Sequence, residues 1–414
     1  MLRKTLKFHP IAWGLIIGTF LSRAGFFMSI PFLGIYLHEV MGFSTAMTGT
    51  ILSISFFVST FTSFIGGAWS DKVGRFPVMI ISMYLWGIVF VGFTVASEVW
   101  HYFVLNALSG FCRSIFEPSA RALLVDVTPQ EKRVDVFNMR YFAINVGGAI
   151  GPLIGLSLGA SKTALPFLVS ALLYFLYGSL IFVWKYKYSS INISKEIIEK
   201  VTLFNSLKII SKDKVFRFFL IGNIFVTGGY AHIDTTLSQY LGSDGIEAYS
   251  VLFATNAISI LVLQYPIINL MKRYSPLISL KTGSILFGIG IFGFSFSHSL
   301  PLMIIAMVIF TIGEILCFII GDVLIGDIAP DHLRGAYFGA AGLQFIGQSA
   351  GAAIGGMLLN MFGFESGFLV FGILAILTIL AYPFFERGQY LLNTKFSDNN
   401  LTLPIKNNGA TKSL

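Results

Sequence analysis

The sequence predicts an all-α membrane protein: twelve transmembrane helices in two pseudo-symmetric six-helix bundles. Three observations point there, namely too few charges for a soluble chain, twelve apolar runs of spanning length, and an internal repeat. Of the 414 residues, 55% are hydrophobic and only 12% are charged, half of the ~25% usual for a soluble domain. The mean hydropathy of +0.79 agrees. These values exclude a soluble globular enzyme, a disordered tail protein and a disulfide-built secreted domain. Cys112 and Cys317 both lie inside apolar runs, so no disulfide framework is expected.

A helix needs about 20 mostly apolar residues to cross the hydrocarbon core. Runs of this kind, separated by polar or turn-forming residues, fall at 11–37, 46–69, 77–96, 99–125, 136–159, 164–184, 215–241, 247–271, 277–297, 300–327, 336–361 and 366–385. The first run is too long for a signal-peptide core and lacks a small-residue cleavage site. The domain expectation is an N-terminal six-helix bundle at 1–184, a cytoplasmic linker at 185–214, a C-terminal bundle at 215–385 and a polar cytoplasmic tail at 386–414. The linker, with Lys195, Glu196, Glu199 and Lys200, reads equally as an amphipathic lipid-surface helix or a plain tether.

Lys and Arg collect in cytoplasmic loops. With both termini inside, the inner connections hold Arg3, Lys4, Lys7, Lys72, Arg75, Lys132 and Arg133. Further along they hold Lys185, Lys187, Lys195, Lys200, Lys208, Lys212, Lys214, Lys272, Arg273, Arg334, Arg387 and Lys395. The outer connections hold only Lys162. The expected setting is therefore a cytoplasmic membrane crossed many times, with both termini cytoplasmic. The net charge of +8 faces the anionic inner leaflet, so nucleic acid is not an expected partner.

The two halves repeat. Asp126-Val-Thr-Pro129-Gln-Glu-Lys-Arg133 after the fourth run matches Asp327-Ile-Ala-Pro330-Asp-His-Leu-Arg334 after the tenth, each matched pair 201 positions apart. The same offset carries Arg113 to Glu314, so intramembrane charges occupy equivalent positions. Internal repeats of this kind are characteristic of secondary transporters, whose sites lie at the repeat interface.

The loop after the second run reads Gly67-Ala-Trp-Ser-Asp71-Lys72-Val-Gly74-Arg75. It resembles the major facilitator superfamily signature Gly-x-x-x-Asp-(Arg/Lys)-x-Gly-Arg. The fifth run carries Gly147-Gly-Ala-Ile-Gly151-Pro152-Leu-Ile-Gly155, similar to that superfamily's antiporter signature. Asp234 in the seventh run and Thr311-Ile-Gly-Glu314 in the tenth resemble the drug:proton antiporter and small-molecule exporter branch. The chain departs from the pattern at Phe76, where a second basic residue is usual. It departs again at Asn106, which replaces an early arginine of the fourth run, with Arg113 two turns further along. The resemblance implies the major facilitator fold, and a conformational gate built from Gly67, Asp71, Lys72, Gly74, Arg75, Asp126 and Asp327. Arg75 is expected to pair with Asp126, and Asp71 to meet a helix N-terminus, whose dipole favours an anion. The bland alternative is a static brace.

The glycines at 147, 151, 155 and 159 form one small-residue stripe suited to close helix packing, and Pro152 permits a bend. A role in setting exporter behaviour comes from the resemblance alone. A charge at mid-bilayer costs about 2.5–3.5 kcal/mol on insertion scales, so retained charges usually mark a cavity or a proton path. Glu314, Asp234, Arg113, Glu117 and Arg23 are the candidates for proton coupling. Low dielectric favours the neutral form of a carboxylate, which lets it load and unload a proton. Arg113, Glu117 and Arg121 share one helical face at i, i+4 and i+8, so a structural salt ladder competes with coupling there. Interhelical pairs with Arg23, Arg113 or Arg140 compete at Glu314 and Asp234. Tyr36, Arg140, Tyr141, Asn145, Asn223, Tyr230 and Gln344 are candidate cavity residues.

No HExxH, Walker-type loop or Cys/His metal spacing occurs, so no enzyme activity, metal or cofactor is expected beyond the coupling proton. The reading that results is a proton-coupled exporter of an amphipathic small molecule (drug, peptide, sugar or siderophore-like metabolite), functional as a monomer in the lipid bilayer. A proton symporter importing a nutrient or siderophore is the alternative on the same fold. A non-transporting membrane sensor or assembly partner is the alternative of another class.

Overall fold

The computed structural model describes residues 8–43, 45–159, 164–188, 203–241, 246–296 and 299–398. Arg3, Lys4, Lys7, Lys162, the linker stretch 189–202 and the end of the tail lie outside the described residues. So do the side chains of Asp234 and Pro152.

In lipid a backbone must satisfy its own hydrogen bonds, and an apolar run does so as a helix. The first part of the chain forms α1 (Pro10–Ile35), α2 (Thr45–Val73), α3 (Arg75–Val95), α4 (Val99–Asp126), α5 (Arg133–Gly159) and α6 (Leu165–Lys187). A short α7 (Leu203–Lys212) follows, then α8 (Lys214–His232), α9 (Ile246–Met271), α10 (Pro276–Gly293) and α11 (Leu300–Ile328). The remainder is α12 (Arg334–Ala340), α13 (Phe345–Phe362), α14 (Gly367–Ile379) and α15 (Ala381–Asp398). No strand occurs among the described residues. Starts follow local chemistry: proline opens α6 and α10, where a missing N–H costs nothing. The Asp213 carboxylate caps α8 by accepting from the Phe216 N–H at 3.0 Å.

Nine stretches among the described residues are long and apolar enough to cross a membrane. The long helices α4, α5 and α8 are outside that set, and they carry Glu117, Arg140 and Asn223. Three expected spans differ in detail. The seventh is interrupted by a π-helical stretch at Ile233–Leu237, which holds Asp234. The eleventh is divided between α12 and α13 by a 3₁₀ segment, Ala341–Gln344. The twelfth does not stop near 385, because α15 carries the helical path to Asp398; the polar tail expected from 386 therefore begins inside a helix. Hydropathy marks where a chain stops being apolar, and a helix can continue past that point with its own hydrogen bonds intact.

The chain divides into two compact units, Met1–Lys208 with Ile325–Gly342, and Ile209–Leu324 with Leu343–Leu414. In the first unit α1 packs on α5 and α6, α2 on α4, and α3 on α4 and α6. The segment Ile325–Gly342, from the second half of the sequence, is built into this unit through α12, which packs on α2 and α4. In the second unit α8 packs on α13, α14 and α15, and α10 on α14 and α15.

The stripe on α5 sets the α1–α5 approach. A Cβ at Gly151 would lie 2.7 Å from the Ala24 carbonyl oxygen, and one at Gly147 2.8 Å from that of Phe20. At Gly155 it would collide with the Met28 carbonyl. These obstacles are backbone atoms, which cannot rotate away. Gly151→Ala is therefore expected to lower stability by about 1–3 kcal/mol, the usual cost of overpacking. Gly148→Ala meets only the Phe27 ring at 3.5 Å and is expected to be neutral. Thermal unfolding of the two variants in detergent checks the contrast.

Candidate functional site

The buried charged candidates fall into two clusters in the first unit and one carboxylate, Glu314, in the second. The first cluster grows from the end of α2. Gly74 has φ +99°, a conformation that costs a side chain but not glycine, and it breaks the chain between α2 and α3. Asp71 is thereby left in the last turn of α2 and Arg75 at the first position of α3. Both side chains are almost fully buried, at 1% and 5% exposure. Arg75 donates to the Asp71 carboxylate, to Ser70 Oγ at 2.9 Å and, through Nε, to Asp126 Oδ2 at 3.2 Å.

Asp71 also receives two backbone N–H groups at the start of α12, from Gly335 at 2.9 Å and Ala336 at 2.7 Å. A carboxylate facing unpaired N–H groups at a helix start is a favourable dipole arrangement. Gly67 makes room for it, since a Cβ there would run into the Gly335 carbonyl oxygen. Lys72 is exposed and stands outside the cluster.

The repeat supplies the remaining links. Arg334 donates to Asp126 at 2.7 Å, and Arg133 donates to Asp327 at 2.6 Å and to the Gly326 carbonyl at 3.0 Å. Each repeat's arginine thus pairs with the other repeat's aspartate. Arg133 and Arg334 were legible as repeat positions but not as members of this network. Their matched spacing was the available signal, and the exchange of partners needed the fold.

The second cluster lies deeper in the first unit. Both oxygens of Glu117 on α4 are engaged from other helices, by Arg23 of α1 at 2.6 Å and by Arg140 of α5 at 2.5 Å. The ladder expected along α4 is corrected in one respect: Arg113 does not turn to Glu117. It donates to Ser59 Oγ at 3.2 Å, and its guanidinium lies over the Phe26 and Phe56 rings at 5.2 and 4.8 Å. Partners on other helices bring two cations to one carboxylate with better geometry than a neighbour one turn away. Asn106, in place of the arginine usual there, donates to the Ile51 carbonyl and ties α4 to α2.

In the second unit Glu314 is 2% exposed on α11. It accepts from Asn256 Nδ2 of α9 at 2.8 Å, and the same amide reaches Thr311 Oγ1 at 3.0 Å. Asn256 was not among the sequence candidates; a single polar residue on a spanning helix is too common a signal. Asp234 sits on the π-helical stretch after α8. Asn223 and Gln344 bond to each other at 2.7 Å, with Thr227 donating to the Gln344 carbonyl at 2.6 Å, so they serve as a helix-to-helix tie. The Tyr230 ring meets Phe318 edge-on at 5.3 Å, and Tyr36 meets Phe167 edge-on at 5.6 Å. Asn145 donates to the Tyr141 carbonyl of its own helix at 2.8 Å. These candidates are spread through both units rather than drawn into one group. Among the described residues no group of His, Cys, Asp and Glu is placed to hold a metal ion.

The family model of the Major Facilitator Superfamily matches residues 15–345 and 221–403. The chain belongs to the major facilitator superfamily. The MFS-type transporter YqjV of Bacillus subtilis is 38% identical over 98% of this chain and 100% of its own length. A Na(+), Li(+), K(+)/H(+) antiporter of Planococcus maritimus is 27% identical, over 89% of this chain and 93% of that protein. Among solved structures, the major facilitator superfamily transporter FucP in an outward conformation has a TM-score of 0.72 at 15% identity. That likeness covers 90% of this chain and 98% of FucP, and it concerns the fold. This is a multi-pass membrane transporter of the superfamily whose signature the Asp71 loop carries.

Asp71→Asn replaces one of two acceptor oxygens by a donor, facing Arg75 or a backbone N–H. Breaking one side of a buried ion pair costs about 3–5 kcal/mol, so α12 is expected to detach from α2. Trypsin applied to the protein in detergent should then cut after Arg334 faster in the variant than in the parent.

Proposed function

We propose that this transporter is a proton-coupled exporter of an amphipathic small molecule, working by alternating access in a cytoplasmic membrane with both termini inside. The observation that carries the reading is Glu314, a carboxylate buried in a spanning helix and bonded to the neutral amide of Asn256. An amide satisfies a carboxyl group in either protonation state, by donating to the anion or by accepting from the acid. Such a site keeps a hydrogen bond to the carboxyl group whether or not the proton is present. The antiporter named in Planococcus maritimus and the glycine stripe of α5 support the outward direction. Each inward proton contributes about 2.3 kcal/mol per 100 mV, together with the pH gradient.

In this reading the Asp71–Arg75–Asp126 network is the gate. The segment it holds, Ile325–Gly342, is covalently continuous at both ends with the second unit, so its release is a natural conformational step. Glu117, clamped by two arginines, organises the first unit's charges, while Glu314 carries the proton.

Inside-out vesicles with an acidified lumen and a pH-sensitive dye test the proposal. Candidate substrates are expected to trigger proton release from the lumen, and Glu314→Gln to abolish that release while labelled ligand still binds. Substrate-driven proton movement in the opposite sense would instead establish symport.

A further inference from the structure

Within the deep charged cluster of the first unit, Arg113 stands apart from the other arginines in how it is satisfied. Arg23, Arg140, Arg121 and Arg113 all act electrostatically on the single Glu117 carboxylate. Its two oxygens are occupied by Arg23 and Arg140. Arg113 has no carboxylate partner among the described residues, and it lies close enough to Arg23 for the two to repel. The Arg23 Nε–H is buried without an acceptor. Ionised groups inside a membrane protein pair with opposite charge or face a water-filled path. At Arg113 no carboxylate among the described residues makes that pair.

What surrounds Arg113 defines the missing partner. The guanidinium is flanked by the Phe26 and Phe56 rings, and a hydroxyl, Ser59 Oγ, satisfies one of its N–H groups. Phe26 in turn meets Trp86, their centroids 6.2 Å apart. Phe26 is buried, but the Phe56 ring is half exposed, so an aromatic body can lie against Phe56 while its acidic group accepts from Arg113. The fork of a guanidinium is suited to a planar carboxylate or a sulfonate. A neutral amphiphile offers Arg113 only a neutral acceptor, which makes a weaker hydrogen bond than an anion does, and a cation would add to the repulsion.

We infer that the transported molecule is an amphipathic organic anion whose acidic group is received by Arg113, with Phe56 against its apolar body. This names the substrate class of the transport reading above and rests on it for the word "transported"; the binding claim stands by itself. Arg113 is then a substrate-binding residue rather than a member of the proton path. Its repulsion from Arg23 is relieved when the ligand is bound.

The test uses the full-length protein in nanodiscs of zwitterionic lipid and three tritiated probes of one frame: 2-naphthoate, 2-naphthamide and a 2-naphthyl-trimethylammonium. Saturable binding is measured by equilibrium dialysis after subtraction of empty nanodiscs. Naphthoate is expected to bind about tenfold or more tighter than naphthamide, as charge-assisted hydrogen bonds exceed neutral ones. The ammonium is expected to bind more weakly than either. Arg113→Gln should erase the preference for naphthoate while leaving naphthamide binding in place, which also reports that the variant is folded. Arg113→Lys should retain a reduced preference.

Equal binding of the three probes, or a preference unchanged in Arg113→Gln, overturns the inference. Absence of saturable binding by all three overturns it as well. Proton flux is read separately with the same naphthoate. Arg113-dependent binding without proton movement would defeat the exporter proposal and leave the anion site standing.

Discussion

The constraint on which the first unit depends is the cost of a charge away from water. Asp71, Arg75 and Asp126 are nearly sealed, and each exists in that state because others neutralise it. Removing any one strands the next, so the group behaves as a unit rather than as a sum of pairs. The same constraint draws in backbone. Asp71 needs more donors than Arg75 provides, and the unpaired N–H groups of Gly335 and Ala336 supply them. Gly67 is then obligatory at the contact, because those N–H groups reach the carboxylate only if the two backbones touch.

Duplication gives this network its form. The Asp–x–x–Pro–x–x–x–Arg segment occurs after α4 and again after α11. In the folded chain Arg133 meets Asp327 and Arg334 meets Asp126. An exchange of this sort follows when two copies of a segment face each other across an approximate two-fold axis, since each donor finds the copy's acceptor in the place of its own. One sequence motif thus makes two equivalent ion pairs.

The deeper charges divide by neighbourhood. Glu117 is surrounded by arginines and Glu314 is met by an amide, so two carboxylates in the same kind of helix are suited to different work. A carboxylate bridged by two guanidiniums is a fixed negative centre. One that faces an amide tolerates the loss or gain of a proton. Arg113, held by aromatic faces and a hydroxyl in place of an anion, is the complement of both.

The sequence by itself determined the membrane setting, the helical fold and the repeat, because each is a matter of composition and period along one chain. Twenty apolar residues must form a helix in lipid whatever surrounds them, and a matched offset needs no coordinates. The Asp71 loop, Arg75 and the α5 glycine stripe were legible because each is a short pattern of fixed spacing, although what they meet lies far along the chain. Tertiary structure decided the partners. The i, i+4 spacing pointed Glu117 to its own helix, yet Arg23 and Arg140 reach it from α1 and α5. Asn223 and Gln344, candidates for a cavity, bond to each other, Asn256 and Ser59 enter the sites unannounced, and only the fold shows that the helix start Asp71 meets is that of α12. A partner brought in from a distant part of the chain leaves no local periodicity to read. Its distance and angle decide which pairing wins, and folding sets both.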